Sequence, residues 1–337
     1  MKENKSFINA LKTASAAANA RNSLPILDCF LVEGNTITVT NLEVTIKATF
    51  EGDPFVSVCL PTNLVLKGLK HVNGEFEVSI NGNMAKFKAG EFEFEVPTSD
   101  SNDFPSIELV DAEYQTISNH CINEAIKFVA NDELRPILNG VAFISDNEKL
   151  TIAATDRYSL YENKTNVYFS GSFVMPPKAC LIIKDVSEFD VAFNNKRVSV
   201  KYGNVEMIAI LLEGEYPNYK SIMPNNQSKL NIDYSSLSNS IERVSEFSDS
   251  EQSLVKFNVK QNSVDILGRD LLFATSAKES ITLDTAATPI EVWLKANNIT
   301  TALRTGRGCL MYSSPDMPIT VVSENKTILV MPVQING

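Results

Sequence analysis

The chain has 337 residues, more than one ordinary core accommodates, and its length suits two or three domains. Hydrophobic residues make up 44% and charged residues 21%, the balance of a globular chain, and no apolar run approaches the roughly 18 residues of a membrane span. A formal net charge of −11 excludes a uniformly basic nucleic-acid binder, and leaves room only for one whose basic residues gather on a local face.

The N-terminal segment "NKSFINALKTASAAANA" predicts an amphipathic helix, with Phe7, Ile8, Leu11, Ala14 and Ala18 on one stripe and Lys5, Asn9 and Lys12 opposite. "LPILDCF" follows, then "TITVTNLEVTIKATFEG", an alternating run with a polar break at Asn41 that reads as paired strands. "VSVCLPTNLVLKGLKHV" predicts a short strand entering a helix. Thr62 or Asn63 is its expected cap, and Val65, Leu69 and Val72 its apolar face. "GEFEVSINGNMAKFKAGEFEFEVPT" predicts further strands, with a tight hairpin at Asn81-Gly82. In "EFEFEV", Phe92, Phe94 and Val96 fall on one face and Glu91, Glu93 and Glu95 on the other.

The same phrases then return. "NHCINEAIKFVAND" predicts a helix with Ile122, Ile126 and Val129 on its stripe, and "RPILNGV" repeats the earlier "LPILDCF" about 110 residues on. "KLTIAATDRYSLYENK" alternates around Asp156, "GSFVMPPKACLIIKDV" is strand then helix, and "SEFDVAFNNKRVSVKYGNVEMIAILLEG" closes the copy, with a hairpin expected at Asn194-Asn195. A third copy runs through "SSLSNSIERVSEF" with Leu237, Ile241 and Val244, "SVDILGRDLLFATSAKES" breaking at Arg269 and Asp270, "TPIEVWLKANNITTALRTG", and "RGCLMYSSPDMPITVVSENKTILVMPVQ". Three copies of one unit result, with boundaries expected near 112 and 228: residues 1–111, 112–228 and 229–337. The fold class expected is α+β.

Motif chemistry is sparse. Cys29, Cys59, Cys121, Cys180 and Cys309 form no C-x-x-C pair, which points to reduced thiols rather than a disulfide framework or zinc site. His71 and His120 are too far apart for a metal-binding H-E-x-x-H helix. No P-loop, Gly-x-Ser-x-Gly or post-strand Gly-x-Gly-x-x-Gly occurs. Neither a metal nor a cofactor is expected, and no catalytic residue is identified. "MKENKSFINA" lacks the apolar core of a signal peptide, so the expected location is the cytoplasm. Two other readings stay open on residues alone: a carboxylate-based hydrolase among the 41 acidic residues, and a monomeric peptide-binding scaffold.

"RNSLPIL", "LRPILNGVAF", "ATDRYSL", "EYPNYKSIMP" and "VMPVQ", in this order on a threefold repeat, resemble the bacterial β sliding clamp, the processivity subunit of the replicative DNA polymerase. The resemblance spans Arg21 to Gln334 and implies three DNA-clamp domains with antiparallel sheets outside and helices inside. It further implies a head-to-tail homodimeric ring around duplex DNA. On the helices so placed, Lys5, Lys12, Lys67, Lys70, Lys127, Lys178, Lys184, Arg243, Lys295 and Arg304 would face DNA, with Arg21 and Arg135 at the ring face. Such contacts would go to phosphates, independent of sequence and sensitive to salt. Asp132, in the loop that holds Arg135, departs from the family pattern.

The resemblance also implies a cleft for polymerase and clamp-loader peptides of the type Gln-x-x-Leu-x-Phe. Its residues here would be Leu138, Thr155, Arg157, Tyr158, Leu160, Pro217, Ile222, Leu329, Val330, Met331, Pro332 and Val333. Arg157-Tyr158-Ser159 and Ser221 depart from the usual pattern, which implies an altered peptide preference. The subunit seam would bring Phe94 and Val96 opposite Glu246 and Phe247.

Overall fold

The computed structural model describes residues 2–19, 24–118 and 121–334. Arg21, His120 and the last three residues of the tail lie outside them.

One order of elements occurs three times. The first copy has β1 (Lys2–Glu3), α1 (Lys5–Ala14), then β2 (Cys29–Gly34), β3 (Thr36–Thr40), β4 (Val44–Thr49) and β5 (Phe55–Pro61). It continues with α2 (Thr62–Leu69), β6 (Phe76–Asn81), β7 (Met84–Ala89) and β8 (Phe92–Pro97). The second has β9 (Gln115–Ser118), α3 (Ile122–Ala125), β10 (Val141–Asp146), β11 (Lys149–Thr155), β12 (Ser159–Tyr168) and β13 (Ser172–Met175). After these come α4 (Pro177–Ile183), β14 (Glu188–Phe193), β15 (Arg197–Tyr202) and β16 (Val205–Ile210). The third has β17 (Ser228–Leu230), α5 (Tyr234–Ser245), β18 (Leu254–Val259), β19 (Ser263–Asp270), β20 (Thr275–Thr282) and β21 (Ile290–Lys295). It closes with α6 (Ala296–Thr305), β22 (Cys309–Tyr312), β23 (Ile319–Val322) and β24 (Lys326–Val330).

The pairing repeats as strictly as the order. The opening strand of each copy joins the strand after its second helix: β1 with β6, β9 with β14, β17 with β22. Two sheets of eight strands join consecutive copies, β5-β2-β3-β4-β16-β15-β14-β9 through β4 and β16, and β13-β10-β11-β12-β24-β23-β22-β17 through β12 and β24. Two sheets of four remain, β1-β6-β7-β8 and β20-β19-β18-β21. The described ladders are antiparallel, as the α+β expectation required.

Contacts group the chain into two compact units. One unit holds Met1–His120 with Lys178–Leu212, and the other Cys121–Pro177 with Glu213–Gly337. The middle copy is shared between them because each of its half-sheets is hydrogen-bonded to a neighbouring copy.

In the first unit α1 starts where Asn4 accepts a hydrogen bond from the Ser6 N–H at 2.7 Å. Its buried stripe of Phe7, Ile8, Leu11 and Ala14 enters the core, and Phe7 meets Phe30, Phe50, Phe55 and Phe76 at ring-centroid distances of 5.1 to 6.2 Å. α2 departs from expectation at its entrance. Pro61 takes the capping position, Thr62 is already helical with its hydroxyl buried and without a hydrogen-bond partner, and the helix ends before Val72. Pro61 prevails because its fixed φ is already suited to a helix start.

In the second unit Asp233 caps α5 by accepting from the Ser236 N–H at 2.6 Å. The helix expected around Ile122, Ile126 and Val129 is only four residues long before it tightens into a 3-10 turn at Ile126–Phe128. Cys121 offers no capping side chain there, and β-branched residues propagate a helix poorly once it lacks that start.

Asp265 on β19 is almost fully buried, with Lys260 Nζ at 2.7 Å, Lys278 Nζ at 3.0 Å and a hydrogen bond from Ser280 Oγ at 2.6 Å. These donors hold its carboxyl well below the usual carboxylate range. A depressed folded-state value stabilises the fold above the unfolded value of about 3.9, and that contribution is lost as pH falls below it. Urea titrations at pH 5 and pH 3 should show a smaller acid-induced loss in Asp265→Asn than in the parent chain.

Candidate partner cleft, basic helix faces and open sheet edges

The turns that end β3 and β11 are built alike. At the first, Asn41 Oδ1 accepts from the N–H groups of Glu43 and Val44 at 3.1 and 2.7 Å, and Thr40 Oγ1 donates to Val44 O. At the second, Asp156 Oδ1 accepts from Tyr158 and Ser159 at 2.9 and 2.6 Å, and Thr155 Oγ1 donates to Ser159 O at 2.7 Å. Leu42 and Arg157 adopt the same left-handed backbone, φ 76° and 78°. The polar breaks in the alternating runs are therefore Asx turns that close each hairpin with their own side chains.

The second turn carries Thr155, Arg157 and Tyr158 of the residues expected in the cleft, and the others also belong to the second unit. Leu138, Leu160, Leu329 and Val330 are core side chains, 3% exposed or less, so they are not available to line a surface site. Thr155 is buried and holds the turn. Tyr158 is 41% exposed, and its ring lies under Lys295 Nζ at 3.5 Å and Arg157 at 5.8 Å. Met331 donates its N–H to Tyr158 O at 2.7 Å, and Val333 donates to Trp293 O at 2.8 Å, so the terminal segment is held by main-chain bonds. Met331, Pro332 and Val333 are half-buried, while Pro217 and Ile222 are exposed. These exposed or half-buried side chains are a flexible thioether, prolines and branched aliphatics, apolar groups of the kind that suit apolar anchors.

The basic residues separate into two groups. Lys5, Lys12, Lys67 and Lys70 are exposed on α1, on α2 and at its end, two packed helices without an acidic residue. Lys127, Arg135 and Lys184 are exposed as well. The others are engaged by protein groups. Lys178 Nζ donates to Ala17 O, Ala18 O and Asn19 Oδ1 at 2.8, 3.1 and 2.6 Å, and burial lowers its pKa. Arg243 pairs with Glu279 at 2.6 Å, Arg304 with Glu242 at 2.7 Å, and Lys295 sits on Tyr158. Each of these four cations thus already has a partner within the chain, a carboxylate for Arg243 and Arg304, neutral oxygens for Lys178 and a ring for Lys295. Asp132 turns toward Arg157 at 3.5 Å, which directs its charge away from the neighbouring Arg135.

Among the sheet edges, β8 and β20 are the two whose counterparts in the other copies are paired: β16 and β24 correspond to β8, β4 and β12 to β20. On β8, Phe94 stacks on Phe87 at 4.8 Å and lies so close to Gly68 that no Cβ would fit there. Val96 is 3% exposed and Phe92 51% exposed. Val96 thus belongs to the core of its own chain, and Phe92 is the apolar side chain this edge leaves uncovered. Glu246 and Phe247 follow α5 and are both exposed. The sequence reading missed the turn after β19, where Leu271, Leu272 and Phe273 are 79%, 85% and 76% exposed. The signal was present as three large apolar residues directly after the polar break at Asp270.

Comparison with known proteins agrees with this architecture. Residues 116–218 match the model of the DNA polymerase III beta subunit, central domain. A beta sliding clamp of Staphylococcus aureus is 27% identical over 270 residues, 71% of this chain and 71% of that protein. One from Staphylococcus epidermidis is 26% identical over 271 residues, again 71% of each. The crystal structure of the DNA polymerase sliding clamp from Pseudomonas aeruginosa superimposes with a TM-score of 0.91 at 17% identity, covering 99% of both chains. That from Bacillus subtilis gives 0.88 at 19% identity, covering 98% of this chain and 97% of the other. The chain is thus similar in sequence to bacterial beta sliding clamps over 71% of its length, and it shares the fold of the solved clamps over nearly all of it.

Proposed function

We infer that the protein is a DNA sliding clamp: a homodimeric ring that encircles duplex DNA and tethers the replicative polymerase, with no catalytic step of its own. The observation that carries this is the pair of unmatched edges. Each copy pairs its neighbour edge to edge through one eight-stranded sheet, which leaves β8 at one end of the series and β20 at the other. A second copy of the chain, placed head to tail, satisfies both edges at once, and a heterologous contact that closes makes a ring.

The repeat supplies the register. At the two internal junctions Val205 faces Ala48 and Lys326 faces Asn163. Transferred through the equivalent strands, Phe92 faces Glu279, Glu93 faces Lys278, Phe94 faces Ala277, Glu95 faces Ser276 and Val96 faces Thr275 of the partner subunit. Glu93 against Lys278 is an opposite-charge pair, which favours this register.

Within that ring we place the three domains at 1–111, 112–228 and 229–337. Duplex DNA is held by the exposed lysines of α1 and α2, with Lys127, Lys184 and Arg135 contributing at phosphates. The cleft of Tyr158, Pro217, Ile222, Met331, Pro332 and Val333 receives Gln-x-x-Leu-x-Phe-type peptides of the polymerase and clamp loader. The proposed location is the cytoplasm; among the described residues no helix is long and apolar enough to cross a membrane.

Small-angle X-ray scattering across a dilution series tests the reading. The expected result is a mass of two chains with the distance distribution of a hollow disc. A single-chain mass at every concentration would overturn it.

A further inference from the structure

The turn Leu271–Phe273 is the least expected surface of the molecule. Three consecutive large apolar side chains, each more than three-quarters exposed, stand on a loop tip where polar residues are the norm. It occupies the same place in the third copy as Leu42-Glu43 in the first and Arg157-Tyr158 in the second. Asp270 plays the part of Asn41 and Asp156, accepting from Leu272 N at 2.8 Å and Phe273 N at 3.1 Å. The third turn is longer: Asp270 pairs with Thr275 across four residues, whereas Asn41 N–H reaches Val44 O and Asp156 N–H reaches Ser159 O across two.

The two internal turns show what such a turn meets. Glu43 O accepts from Ile210 N–H and Tyr158 O from Met331 N–H, both residues lying just past the paired segment of the next copy. Beside each turn lies the start of that next copy's second helix. Asn298, the third residue of α6, donates to Asp156 Oδ2 at 3.0 Å. Lys178, the second residue of α4, shares Asn19 Oδ1 with Asn41.

At the seam the counterpart of Ile210 and Met331 is Pro97, which has no N–H to donate; that of Asn298 is Leu64, the third residue of α2 and 49% exposed, and that of Lys178 is Asn63. The main-chain bond made at both internal junctions is thus lost here, and the place of Asn298 is taken by an apolar side chain opposite an apolar turn. The longer turn has the reach that a missing hydrogen bond leaves unfilled. Leu271 and Leu272 also line a cavity of about 210 Å³ with Leu254 and Trp293, which Asp249, Gln252, Arg269 and Asp270 complete.

We propose that Leu271, Leu272 and Phe273 form an apolar latch that closes the seam by packing on Leu64 and Pro97 of the partner subunit. The latch rests on the ring reading above, and it assigns to this turn the tightness of the dimer rather than its existence, which the β8–β20 pairing supplies.

Sedimentation velocity over a dilution series of the full chain tests it, with fluorescence of Trp293, the single tryptophan, as a second readout. Leu272→Asp with Phe273→Asp, and separately Leu64→Asp, should each raise the dimer dissociation constant by about tenfold or more, as loss of a desolvated apolar anchor does. The exposed positions should leave the circular dichroism of the chain unchanged. Leu64→Lys added to Leu272→Asp should recover part of the loss by placing opposite charges where the leucines met. A cysteine pair across β8 and β20 separates the two failures. If that pair still cross-links two chains while the latch variants dissociate within twofold of the parent, the latch is overturned and the ring stands. If the parent chain neither dimerises nor cross-links, both fall.

Discussion

Oxidation of a Glu95→Cys, Ser276→Cys double variant should yield a covalent two-chain species on a non-reducing gel, and neither single variant should. The pair follows from the repeat: Ile208 faces Thr45 at the first internal junction and Leu329 faces Leu160 at the second, and Glu95 and Ser276 hold the corresponding places at the two open edges. Both are exposed, so the substitutions disturb little in the separate chain. A one-residue slip would turn one cysteine to the opposite face, so efficient cross-linking reports register as well as association. The five native cysteines lie elsewhere in the chain, and the parent protein is the control for them. Phe94→Arg should give monomers in the same assay. It is the less clean variant, because Phe94 also stacks on Phe87 and packs over Gly68 within its own chain.

A Gln-x-x-Leu-x-Phe peptide should bind the cleft in the micromolar range, about −8 kcal/mol, and Met331→Ala should weaken it about tenfold. Fluorescence anisotropy with a labelled peptide measures both. Met331 is suited to the role on two grounds. Its main chain is pinned to Tyr158 O, so the side chain is presented from a fixed point, while the thioether itself can adapt to the anchor it meets. Leu329 and Val330 next to it are wholly buried, and truncating them would test stability rather than recognition. Affinity unchanged in Met331→Ala, with folding intact, would remove Met331 from the cleft.

The balance of charge illustrates how composition and placement differ. A net −11 suggests repulsion from DNA, yet α1 and α2 carry only positive charge. On α5 and α6, Arg243 and Arg304 are paired to Glu279 and Glu242. Attraction to phosphate by the helices, in the proposed ring, is therefore concentrated in the first copy.

Much of this protein is determined by its sequence alone. Period-two alternation, the Asx turns at Asn41, Asp156 and Asp270, and the helix stripes of α1 and α5 follow from local chemistry, in which each residue reports its own face. Recurrence of those signals marked three copies, and the motif residues pointed to the cleft proposed above. What only the tertiary structure decided are the properties that depend on who sits next to whom. Lys178, Arg243, Lys295 and Arg304 look identical to Lys12 in a sequence, and differ from it because an acceptor or ring from a distant segment reaches them. Leu329 and Met331 are two residues apart in one apolar phrase, yet one is core and the other half-exposed. The unpaired edges of β8 and β20 and the exposed turn beside β20 depend on strand pairing, since a hydrogen-bonding edge is free or taken according to partners distant in the sequence.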